Sequence, residues 1–285
     1  MILPCNNDSK AVDQIHPAID LLRTLDETHP DVLKAHGLTP ADYHPKLVFR
    51  SAVESIRGTY IASSLTQRQG LVAGVLALMQ GQKLIVEHRF KGSSERFDFE
   101  VMVRTHPQKM CAIEVKGGEG NSINISDRPL WANEFVLWCH LDGAIVNEPS
   151  HGVTAIINRV SNEMVKRGKL VDAIIFKDVT CNTPLRPCPK YRNKTPPSAL
   201  GVAPDIFLLP RQVPSEKNPK PLTHELTTTM LPTKILSAHG VSPKDFETHI
   251  WRVTVKLTKN SAGRSVRETQ VFHKGLLVGE GKSSR

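Results

Sequence analysis

Between Arg96 and Lys116 apolar and polar residues alternate for nine positions, pause around Thr105 to Lys109, and resume into an apolar pentad that also alternates. Side chains on a strand point to opposite faces in turn. Phe97, Phe99, Val101 and Val103 therefore share one face of a first strand, with Asp98, Glu100 and Met102 on the other. In Ala112-Ile113-Glu114-Val115-Lys116, Ile113 and Val115 point to a core while Glu114 and Lys116 share the opposite face. Pro107 marks the turn. A hairpin closed there returns the second strand beside the first and lets Asp98 face Glu114.

Two carboxylates and an ammonium so placed suit one kind of chemistry. Hydrolysing a phosphodiester needs a nucleophilic water near neutral pH and neutralisation of the charge that builds on the phosphoryl oxygens. Mg²⁺ supplies both and prefers hard oxygen ligands. Two acids at short range resist joint ionisation unless a cation lies between them. Lys116, a compact point charge, can contact the scissile phosphate or acidify the attacking water. As bare letters the pattern is weak, since Asp8-Ser9-Lys10 and Glu280-Gly281-Lys282 also place an acid two residues before a lysine. Only Glu114-Val115-Lys116 sits in an alternating apolar run behind a second acid-bearing strand. The bland alternative is a solvated Glu–Lys pair worth under about 1 kcal/mol.

Asp98, fifteen intervening residues, then Glu114-Val115-Lys116 in an apolar strand resembles the PD-(D/E)xK nuclease superfamily, and CAIEVKGGEGNSINIS resembles its type II restriction endonucleases in particular. The resemblance covers about residues 84–178. It implies a metal pair formed by Asp98 and Glu114, Lys116 as the catalytic lysine, and Mg²⁺ as cofactor. Phe97 stands where the family pattern has proline. Family members often add an acid from a helix ahead of the hairpin, and Glu54 is the candidate; Glu100 is the other residue that could complete the coordination.

The flanking sequence agrees with an α/β core. Residues 51–62 and 67–79 have helical character, the latter with Leu71, Val72, Val75, Leu76 and Met79 on one stripe. Shorter helices are expected over 17–25 and 31–36. Residues 84–90 give a first strand, and 91–95 a turn. Gly117, Gly118 and Gly120 end the Glu114 strand either as a plain turn or as an approach for a phosphate chain. Residues 131–140, WANEFVLWCH, fit a buried strand or a helix equally. Residues 154–167 are helical up to Gly168, and 171–176 form a buried strand, a crossover that favours a parallel pair and a mixed sheet flanked by helices.

Residues 183–221 hold ten of the twenty prolines, broken by an expected edge strand at 203–209. The division that follows is a helical region with a nuclease core over 1–182, a Pro-rich connection over 183–221, and a small basic subdomain over 222–285. That last part is expected to hold helices at 232–239 and 243–248 and a hairpin pairing 250–257 with 267–273.

Charge is lopsided. Residues 1–150 hold 15 Lys/Arg against 18 Asp/Glu, a net of −3, whereas residues 151–285 hold 22 against 10, a net of +12. Double-stranded DNA is the natural counterpart of the second half, since phosphate contacts dominate such binding. Arg186, Lys190, Arg192, Lys256, Arg264 and Arg267 are the candidate contacts. Because one active site faces one strand of a duplex, a homodimer is expected.

The longest apolar run is about nine residues, short of the roughly 20 that span a bilayer. MILPCNNDSK lacks the features of a signal peptide, and five scattered cysteines suit a reducing compartment, so a cytoplasmic location is expected. Cys181 and Cys188, separated by six residues, are spaced more widely than common zinc ligands. His140 and His151 suit core or rim roles, and the three tryptophans suit the core. The absence of a Walker loop or nucleophile elbow argues against an NTPase or serine hydrolase. The favoured function is a Mg²⁺-dependent restriction-type endonuclease. A repair or junction-resolving nuclease of the same core is its neighbour, and a non-catalytic DNA-binding protein is the alternative of a different class.

Overall fold

The computed structural model describes residues 65–92, 95–117, 123–141, 151–178, 200 and 203–284. They form an α/β fold around a mixed nine-stranded sheet whose spatial order follows chain order.

Helix α1 (Leu65–Gly81) leads into β1 (Glu87–Phe90), β2 (Phe99–Thr105) and β3 (Gln108–Gly117), an antiparallel meander turned at His106–Pro107. β4 (Glu134–Leu141) then pairs parallel to β3, and α2 (His151–Arg167) crosses to β5 (Ala173–Asp178), parallel to β4. The expected crossover and mixed sheet are therefore present. The ambiguous WANEFVLWCH segment resolves as strand β4, buried on both faces between two parallel neighbours, which is why it shows no alternation.

β6 (Asp205–Leu208) is not at an edge as expected: it pairs antiparallel with β5 and parallel with β7 (Ile250–Lys259). Its Ile206, Phe207 and Leu208 are buried accordingly. Helix α3 (Leu231–Ala238) and a 3₁₀ segment, Pro243–His249, fill the connection to β7. β8 (Ser265–His273) completes the expected hairpin, and β9 (Leu276–Ser284) adds a strand that the glycine- and serine-containing sequence hid. The C-terminal hairpin thus extends the same sheet rather than standing apart from it as an appended unit.

Alternation sorts the core into two layers. One face packs Ile113, Val115, Trp138 and Ile175 against Val72, Leu76 and Met79 of α1 and Leu231, Ile235 and Leu236 of α3. The opposite face packs Ala112, Leu137, Ile174 and Val253 against Ile156, Ile157, Val160 and Met164 of α2. Of the tryptophans, Trp138 is fully buried and Trp251 stacks between Phe207 and His273, whereas Trp131 is 42% exposed, packed edge-on to Phe97. No described helix is long and apolar enough to cross a membrane.

Candidate active site

The β2–β3 register sets the site. The regular β2–β3 pairing ends with Phe99 opposite Ile113, and Asp98, the residue just before β2, lies close enough to Glu114 for its charge to act on that carboxyl. The register shifts there: the Asp98 N–H donates to the Ile113 carbonyl at 2.9 Å, and Phe97 packs on the face opposite Phe99 instead of sharing its face as the alternation suggested, while the Asp98 carbonyl accepts from the Lys91 N–H at 2.8 Å. The Asp98 carboxylate is held at both oxygens. Oδ2 accepts from the Val115 N–H at 2.7 Å, and Oδ1 accepts from Gln69 Nε2 at 2.6 Å. Gln69 belongs to the first turns of α1, so the helix above the sheet reaches down to the acid at its end.

Glu114 is 6% exposed, and its Oε1 lies 2.6 Å from Lys116 Nζ. The Ser126 N–H donates to Oε2 at 3.2 Å, and Ser126 Oγ lies 3.5 Å from Oε1. Burial pushes the Glu114 carboxyl above its ordinary value; Lys116 and the Ser126 N–H oppose that shift, and the charge of Asp98 adds to it. Glu114 and Lys116 stand near the C-terminal end of β3, level with Leu137 and Cys139 of the parallel β4. Ligands commonly meet parallel strands at that end.

The segment carrying Ser126 is itself anchored. Arg128 donates to the carbonyls of Ala132 and Asn133 and pairs with Asp172 at 3.1 Å. Asp172 is 4% exposed and also receives the Phe135 N–H at 2.6 Å and His224 Nε2 at 2.9 Å. A buried acid with this many donors ties the 123–133 segment to the sheet, two residues from the serine that holds Glu114.

Two negative charges against one positive leave the cluster short of a cation. Mg²⁺ is commonly held by one or two carboxylates, with water and substrate phosphate completing its shell. The Asp98 and Glu114 carboxylates suit it as hard oxygen donors: both Asp98 oxygens and Glu114 Oε2 keep a second lone pair beyond the one bond each accepts, whereas Glu114 Oε1 already faces Lys116 and Ser126. Among the described residues no group of three or more His, Cys, Asp or Glu side chains converges. Glu100 lies opposite Ala112 and is ion-paired with Lys91 at 3.0 Å, two residues along the strand from Asp98. Glu54 lies outside the described residues, as do Cys181 and Cys188 and the side chains of His140 and His151.

The candidate DNA contacts divide. Arg186, Lys190 and Arg192 fall outside the described residues. Arg264 is exposed in the β7–β8 turn, and Lys256 Nζ donates to Gln270 Oε1 at 2.9 Å. Arg267 is 6% exposed and reaches Asn162 Oδ1 on α2, so it fastens the helix to β8 instead of facing a duplex.

Sequence reasoning missed Gln69 and Ser126. Gln69 lies inside the expected helix, but only the helix's placement over the end of β2 brings it to Asp98. Ser126 lies in the right stretch, CAIEVKGGEGNSINIS, with no spacing rule to single it out. Comparison with protein-family models, curated proteins and solved structures gave no match.

Proposed function

We propose that this chain is a Mg²⁺-dependent endonuclease of restriction type that hydrolyses phosphodiester bonds of double-stranded DNA at a specific sequence, working in the cytoplasm as a homodimer. The observation that carries the reading is the buried Glu114 carboxylate 2.6 Å from Lys116 Nζ, with the Asp98 carboxylate held beside it by the Val115 N–H. A solvated surface pair, the bland alternative, would not bury its acid to 6% exposure or brace it with a serine from a separately anchored segment.

In this reading Asp98 and Glu114 would hold Mg²⁺, which when bound would supply positive charge to the phosphoryl oxygens and acidify water. Lys116 spans the Glu114 carboxylate and the phosphate, offsetting the charge that accumulates as the water oxygen bonds to phosphorus and the ester P–O bond breaks. The attacking water gives one proton to solvent water and keeps the other on the new phosphate, and the leaving oxygen takes a proton from solvent. Gln69 and the Val115 N–H keep both Asp98 oxygens oriented, and Ser126 does the same for Glu114. Orientation matters here because positioning and electrostatic stabilisation carry most of phosphoryl-transfer catalysis.

Incubating plasmid and branched DNA with the protein and Mg²⁺ separates this reading from its neighbours. Defined fragments from plasmid support restriction-type cleavage. Cutting confined to branched substrates assigns a junction-resolving role, and intact DNA that is nevertheless bound assigns a non-catalytic one.

A further inference from the structure

The sheet's two outer strands are built differently. β1 is four residues long, with Glu87 and Arg89 on it. β9 is nine residues long, and among the described residues nothing pairs with its outer edge. A long edge strand presents a row of unpaired N–H and C=O groups that another strand can join.

The two faces of β9 are unequal. At Gly281 an added Cβ would stand 2.8 Å from Asn158 Nδ2, so the Asn158 side chain of α2 already covers that face. The other face carries Glu280 and Lys282, placed symmetrically about the glycine. Lys282 pairs with Glu268 of β8 at 2.9 Å, yet its side chain is still 65% exposed. Glu280 is exposed, opposite Gln270.

We propose that β9 pairs antiparallel with β9 of a second copy about a two-fold axis centred on Gly281. Charge selects that centre. It sets Glu280 of each copy opposite Lys282 of the other, twice over, and brings Val278 opposite Ser284. The charges then alternate across the joint face as Glu268, Lys282 and Glu280 of the second copy. Centring on Glu280 or on Lys282 would oppose like charges, which is destabilising across a ladder. Centring on Gly279 would set Lys282 against Leu276 and Glu280 against Val278. A two-fold interface must be self-complementary, and an acid and a base flanking one glycine meet that condition. The result is one sheet running through both copies.

Sedimentation velocity on the full chain over a wide concentration range tests this without reference to cleavage, so it stands or falls apart from the nuclease reading. The wild type is expected to sediment as a dimer. Glu280→Lys opposes lysines at both contacts, and Lys282→Glu opposes glutamates; each variant should dimerise about tenfold more weakly or worse. An equimolar mixture of the two variants sets the lysines of one chain against the glutamates of the other at both contacts, so the mixture should recover dimer. A wild type that stays monomeric overturns the proposal. So do single variants that dimerise as the wild type does, and a mixture that fails to recover association.

Discussion

Gln69→Ala is the perturbation that isolates how α1 serves the site. The substitution removes a 2.6 Å hydrogen bond to Asp98 Oδ1 while leaving the 2.7 Å bond from the Val115 N–H to Oδ2. Hydrogen bonds to charged groups are worth about 1.5–3 kcal/mol, and about 1.36 kcal/mol is a factor of ten. If that orienting energy is felt by the bound cation, the Mg²⁺ concentration giving half-maximal cleavage should rise roughly 10- to 150-fold. The rate at saturating Mg²⁺ should fall far less, because Asp98, Glu114 and Lys116 all remain. Mn²⁺ binding followed by its paramagnetic resonance signal gives the same affinity change without cleavage. An unchanged cation affinity, with folding intact by circular dichroism, would refute the idea that the helix positions the acid.

Two further outcomes follow from titrating groups. Burial raises Glu114, so the folded chain keeps its proton to higher pH than the unfolded chain does, and stability falls as pH rises from the ordinary carboxylate value through the raised one. A cation offsets that cost. The acid limb of the cleavage rate should therefore lie above the usual carboxylate range and move to lower pH as Mg²⁺ is raised, and a limb indifferent to Mg²⁺ would contradict the assignment. His239 behaves in the opposite sense. Burial, with Lys177 adding to it, holds the imidazole down to about 3, and Lys177 Nζ lies 2.8 Å from its Nε2. Its stabilising contribution is complete above its ordinary 6.5 and is lost as pH falls from there towards 3. By pH 5 that amounts to about 2 kcal/mol, so urea unfolding should show a steeper loss between pH 7 and 5 in the wild type than in His239→Gln. Equal slopes would count against it.

The sequence exposed what local pattern controls and hid what distant pairing controls. The β2–β3 hairpin was legible from Phe99 onward because alternation and one turn determine it, but the register shift at Asp98, which turns Phe97 to the other face, left no trace in the alternating pattern. α2 and β5 were legible because helical spacing ends at Gly168 and an apolar run follows directly. β6 was misjudged because its proline-rich surroundings suggest an edge, while its burial comes from β7, more than forty residues later in the chain. β9 escaped notice because Gly279, Gly281 and Ser283 carry none of the branched or aromatic side chains that mark strands; its neighbour β8 holds it in place. Arg267 looked like a phosphate contact by charge alone, yet strand parity turns it towards Asn162 of α2. Gln69 is the same lesson at the site, a neutral residue made relevant by where a helix lands.

The most direct measurement of the central claim is single-turnover cleavage of duplex DNA in Mg²⁺ by the wild type and by Lys116→Ala, alongside filter binding of the same DNA. Lys116 is half-buried against Glu114 and bears no core packing, so the variant should fold and bind DNA with near-normal affinity. Removing one preorganised charge from such a site typically costs about 10²–10³ in rate, and a loss of that size is expected. A variant that cuts as fast as the wild type would show that the lysine beside the buried glutamate takes no part in phosphodiester hydrolysis, and the account would fail.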